Sequence, residues 1–114
     1  MAWYECIGGS GGSSSHTYST TEKVVGKWTE GTTDVYEKVC TGTTVEGSFV
    51  LISGVDKIIG IEGHAGVYPL PAVQIDNNRK YMIIIVSNGD AKMYVNGSNY
   101  SGLSYEAVIR YIKS

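Results

Sequence analysis

Three features of the sequence predict an all-β protein, an antiparallel β-sandwich of jelly-roll-like type. Runs rich in Val, Ile, Thr and Tyr recur along the chain, and turn-forming glycines, 15 of 114 residues, separate them. An Asn88-Gly89 pair also divides two of the strongest runs, and Asn-Gly favours the positive φ angles of a two-residue hairpin turn. About six to eight short strands are expected. A chain of this length suits one domain with one core.

The first element is Ala2 to Ile7, apolar and aromatic, expected as a short N-terminal strand or extension over residues 1–7. The low-complexity run Gly8 to Ser15 carries no side chain able to hold a core, so residues 8–16 read as a Gly/Ser-rich linker. The sandwich itself is expected over residues 17–114. Within it, Val24 to Glu30 and Val35 to Cys40 read as strands joined by the loop Glu30 to Asp34. Ser48 to Ile52 and Lys57 to Glu62 follow, with Gly60 marking a bulge or a close backbone approach.

Tyr68-Pro69-Leu70-Pro71 is excluded from a central strand because proline donates no ladder hydrogen bond. Asp76-Asn77-Asn78 reads as a turn. Tyr81 to Val86 is a continuous β-branched run, as expected of a strand covered on both faces, and Ala91 to Val95 is its hairpin partner. Tyr105 to Lys113 has two readings. Tyr105, Val108, Ile109 and Ile112 would line a helix, whereas Tyr105, Ala107, Ile109 and Tyr111 would line a strand; the β-rich company favours the strand.

Bulk properties narrow the function. A formal net charge of −2 lacks the basic stripe expected of a nucleic-acid binder. No Lys/Arg cluster favours an anionic membrane surface, and the longest apolar run, Met82 to Val86, is too short to span a bilayer. The N-terminus lacks the pattern of a secretion signal. Cys6 and Cys40 are too few for a disulfide scaffold; pairing is open to them, but two reduced, partly buried thiols are the simpler expectation.

Catalysis requires a nucleophile, a base and an orienting group, and the sequence offers two histidines. His16 lies in the linker. His64 follows Glu62 by two residues, so both would share a strand face, either as half of an acid–base or metal site or, more simply, as a surface contact. No His/Cys cluster completes a metal site, and Asp56, Asp76 and Asp90 fall in expected turns. Neither a catalytic residue, a metal nor a cofactor is therefore expected.

Nine tyrosines against one phenylalanine suggest rings that pack on one side and meet water or a partner on the other. Tyr68 sits beside two prolines, while Tyr94, Tyr100 and Tyr105 cluster around the loop Asn96 to Leu103. A saccharide or teichoic-acid site built from Tyr68, Asn99 and Tyr100 is chemically sensible, because sugar C–H faces stack on aromatic rings. The competing reading makes these tyrosines plugs at the sandwich edge or a subunit contact. Trp28, placed with Val24 and Gly26 on one strand face, reads as a core or subunit-contact anchor, with a ligand platform as the alternative.

The segment from Tyr18 to Trp28, Tyr-Ser-Thr-Thr-Glu-Lys-Val-Val-Gly-Lys-Trp, followed by Gly31 and by Val35-Tyr36-Glu37-Lys38, resembles a signature near the C-termini of phage and prophage tail proteins of Gram-positive bacteria. Val55 to Gly63 is similar to a second recurrent piece of those domains, and the chain closes on a similar Tyr/Ile-rich strand ending at Lys113. Thr29-Glu30 stands where the family carries Ile-Asp, and the loop Thr32-Thr33-Asp34 is longer, so loop shape is expected to differ.

The resemblance implies a non-catalytic virion module of the tail or baseplate, made in the bacterial cytoplasm and contributing to attachment to the cell surface. Its implied partners are itself, with a homotrimer expected first, other tail or baseplate proteins and a bacterial surface glycan. A stand-alone carbohydrate-binding module is the alternative, and a small hydrolase, lacking a complete catalytic set, a second one.

Overall fold

The computed structural model describes residues 16–74 and 80–114. The expected N-terminal strand, the linker residues Gly8 to Ser15, Cys6 and the Asp76-Asn77-Asn78 turn lie outside the described residues. The rest folds as an antiparallel β-sandwich. It has nine strands, more than the sequence suggests: β1 (Lys23–Lys27), β2 (Asp34–Thr43), β3 (Gly47–Ser53), β4 (Val55–Ala65), β5 (Tyr68–Pro69), β6 (Ala72–Gln74), β7 (Lys80–Ser87), β8 (Asp90–Asn96) and β9 (Ser104–Lys113). Sheet 1 runs β1-β2-β9-β4-β5 and sheet 2 runs β3-β8-β7-β6.

β2 pairs with β9 while β3 pairs with β8, so two ribbons of consecutive strands wind together across the sandwich, as in a jelly roll. The remainder departs from that pattern. β6, β7 and β8 form a meander, and β5 closes onto β4 as a short hairpin. The turn between β7 and β8 is the Asn88-Gly89 pair, with φ of 54° and 78° as the hairpin geometry requires.

The ambiguous C-terminal segment is the central strand of sheet 1. Tyr105, Ala107, Ile109 and Tyr111 of β9 all point into the core, where they meet Ile52, Met82, Ile84, Ala91 and Met93 of sheet 2. Period-two alternation decides this against a helix, because each of these side chains finds a partner on the facing sheet. Tyr111 is fully buried; its ring stacks on Tyr36, and its hydroxyl donates to Glu22.

β7 differs from expectation in an informative way. Met82 and Ile84 face the core, but Tyr81, Ile83 and Ile85 face outward beside Asn96, Tyr94 and Lys92 of β8. Ile85 is 46 % exposed, Val50 of β3 51 % and Val73 of β6 59 %. Only one face of the apolar strand is covered within the protomer. Lys92, paired with both Val50 and Ile85, lies across this apolar outer face.

Candidate functional site

The register of sheet 1 brings three strands together on its outer face. Glu37 and Val39 of β2 lie opposite Arg110 and Val108 of β9, while Glu62 and His64 of β4 lie opposite Val108 and Glu106. Paired residues share a face, so these side chains form one surface. Arg110 joins two carboxylates: Nε donates to Glu37 at 2.9 Å and Nη1 to Glu62 at 2.9 Å. Glu37 is buried and is also held by His16 Nε2 at 2.7 Å. Burial works against the Arg110 charge, but the Glu62 and Glu37 carboxylates outweigh it and raise the guanidinium pKa. His64 Nε2 lies 3.4 Å from Glu106 Oε1.

A strap formed by residues 16–22 runs beside β2 and reaches this surface through His16 and Tyr18. The Val39 N–H donates to the Ser19 carbonyl at 2.9 Å, and the Lys23 ammonium donates to the Thr17 carbonyl. Tyr18 packs edge-on against His16, ring centroids 4.7 Å apart, and stays half exposed. Its ring overlooks a groove of about 310 Å³ floored by Val39, Val108 and the Gly63 backbone and walled by Glu62, His64 and Glu106. Glycine is required at position 63: φ is +143°, and a Cβ there would lie 2.1 Å from the Glu106 carbonyl oxygen.

Glu62 and His64 do share a strand face, within a longer β4 than the sequence suggests, yet each engages a different partner. Among the described residues no three His, Cys, Asp or Glu side chains are grouped to hold a metal ion. His16, expected in a linker, is hydrogen bonded to Glu37 instead. Cys40 is a free thiol in the core, where burial pushes its pKa up.

The tyrosine cluster expected at the loop end does not form as one surface. Tyr94 points outward from sheet 2 beside Ile83, and Tyr105 points into the core beside Phe49. Tyr100 closes a 3-10 turn (Ser98–Tyr100) and is only 4 % exposed, so its ring offers no stacking face to a ligand. Buried Thr44 pins this turn: its Oγ1 donates to the Tyr100 carbonyl at 2.5 Å and accepts from the Leu103 N–H at 2.9 Å. Tyr68 stands edge-on to Tyr100 at 4.9 Å and is half buried, while Asn99 is exposed.

Trp28 is not in the core. A bulge between Val24 and Gly26 sets Val24 opposite Tyr36 but Gly26 opposite Val35, so the two fall on opposite faces rather than one. Trp28 is 37 % exposed beyond the end of β1, in a loop closed by its carbonyl accepting from the Gly31 N–H at 2.8 Å. Val24 and Val25 of β1 are also exposed at this edge of sheet 1.

Sequence reasoning missed Tyr18, Glu37, Glu106 and Arg110 as members of one surface. Alternation along β9 places Glu106, Val108 and Arg110 on one face, a signal available in the sequence. Their neighbours come from β2 and β4, however, and that pairing is not local. Comparison with protein-family models, with curated proteins and with solved structures found no match. No helix among the described residues is long and apolar enough to cross a membrane.

Proposed function

We propose that this protein is a non-catalytic structural module of a phage or prophage tail or baseplate that assembles with copies of itself and contributes to attachment to the bacterial surface. The observation that carries this reading is the outer face of sheet 2, where Val50, Val73 and Ile85 are exposed and Ile83 is half-buried, with Lys92 between Val50 and Ile85. Exposed apolar patches of this kind often mark a contact surface. At ~4.8 Å between strands and ~3.3 Å per residue, a four-stranded face of this kind projects roughly 400 Å² per partner, or about 800 Å² per pair. That is below the ~1,200 Å² of a stable specific interface, so this face would serve as one contact among several in a symmetric particle.

The occupant is a second copy of this chain. The β1 edge of the other sheet also exposes apolar side chains, Val24, Val25 and, just beyond it, Trp28. Two different patches, rather than one self-complementary patch, are what a heterologous ring needs, and a trimer is the smallest such ring. The likeness of Tyr18 to Lys38 to the tail-protein signature supports the same setting.

Sedimentation equilibrium over a wide concentration range tests the reading. A trimer mass that grows with concentration is expected, whereas a strict monomer at the highest concentration would count against it. A monomer that still binds sugar would favour the stand-alone carbohydrate-binding reading, for which the Tyr18 groove is the specific observation.

A further inference from the structure

We infer that the groove on the outer face of sheet 1 is a binding site for a neutral saccharide, with Tyr18 as its stacking platform. Small-molecule sites are concave and mostly apolar, with a few convergent polar groups that fix orientation. This groove has that composition. Val39 and Val108 supply an apolar floor, Tyr18 an exposed ring, and Glu62, His64 and Glu106 polar atoms at the rim. Its volume of about 310 Å³ fits a mono- or disaccharide unit.

The site is built in advance. Tyr18 does not swing freely, because the Ser19 carbonyl accepts the Val39 N–H one residue away and His16, itself held by Glu37, packs against its ring. Arg110 holds the Glu62 carboxylate from behind, and His64 lies beside Glu106. Fixing these groups before the ligand arrives lowers the ordering cost of binding. A carboxylate held by one partner still accepts hydrogen bonds from vicinal hydroxyls.

Charge selects the ligand. Glu62 and Glu106 present carboxylates to the groove while Arg110 is engaged by Glu37 and Glu62. A polyanion would meet repulsion there, and a neutral sugar would not. Gly63 contributes by lacking a side chain, which lets β4 approach the β9 backbone and keeps Glu62, His64 and Glu106 at neighbouring positions. The inference rests on the attachment reading for the origin of its ligand, but it is tested separately, since assembly is read from mass and the groove from ligand titration.

The experiment titrates the full chain with glucose, galactose, rhamnose and N-acetylglucosamine, with polyglycerol phosphate as the anionic counter-probe, and follows backbone amide NMR signals. At least one neutral sugar is expected to move the amides of Val39, Gly63, His64, Glu106 and Val108, and the polyphosphate to leave them in place. Tyr18→Ala is expected to weaken that sugar roughly tenfold, and Tyr18→Phe to retain it, because stacking needs the ring and not the hydroxyl. Unchanged amide positions elsewhere in the Tyr18→Ala spectrum show that the variant is folded. No groove response to any neutral sugar at high millimolar concentration would overturn the inference. So would responses confined to Tyr68 and Asn99, stronger binding of the polyphosphate, or a Tyr18→Ala affinity within a factor of about two of the wild type.

Discussion

Glu22 illustrates how one side chain couples the strap to the core. Burial pushes its carboxyl upward, but the Lys113 ammonium at 2.6 Å and the Tyr111 hydroxyl outweigh this and hold its pKa below the ordinary carboxylate value. A carboxylate whose folded pKa is depressed stabilises the fold above its unfolded pKa and loses that contribution as pH falls through the folded value. Glu22→Gln is therefore expected to cost about 1 kcal/mol at neutral pH and to lose less on acidification than the wild type. Urea denaturation at neutral pH and at about pH 3 checks both arms. If the variant and the wild type lost equal stability on acidification, Glu22 would not be an acid-sensitive tie.

Strand geometry accounts for most of what the sequence predicted and for its main errors. Seven expected strands correspond to β1, β2, β3, β4, β7, β8 and β9 with shifts of no more than three residues at their ends, because alternation, β-branching and the Asn88-Gly89 turn are local signals. β5 and β6 have only two and three residues and sit around Pro69 and Pro71, too short to carry a period. The expected shared face of Val24, Gly26 and Trp28 is lost because a bulge at Val25 sets Val24 and Gly26 on opposite faces and β1 ends at Lys27, and whether an extra residue is accommodated depends on the partner strand.

Two glycines of β4 allow a direct test of such backbone effects. Gly63→Ala meets both a positive φ and the Glu106 backbone, so a loss of more than about 2 kcal/mol is expected. A Cβ on Gly60 would meet no atom within 4 Å, so Gly60→Ala is expected to stay within about 1 kcal/mol of the wild type. Thermal melts of the two variants measure the contrast, and equal losses would refute it.

For the whole molecule, the two sheets differ in what their outer faces offer. Sheet 1 carries a polar surface with a groove, and sheet 2 carries an apolar one. One side is suited to a ligand and the other to packing. An Ile85→Lys, Val73→Lys double variant is expected to dissociate the proposed assembly while leaving the core of the protomer intact, because both side chains point away from Met82 and Ile84. Sedimentation gives the mass and near-ultraviolet circular dichroism the tertiary packing. An unchanged mass would place the interface on another surface.

The all-β class, the approximate strands and the Asn88-Gly89 hairpin were set by the sequence alone, because each follows from residues close together in the chain. The burial of Tyr100, the outward orientation of Ile83 and Ile85, and the convergence of Tyr18, Glu62, His64 and Glu106 were decided only by the tertiary structure. The physical reason is the pairing of β9 with both β2 and β4. Alternation along a strand divides its side chains between two faces, but which face meets the opposing sheet, and which neighbours share it, is settled by contacts between segments far apart in the chain.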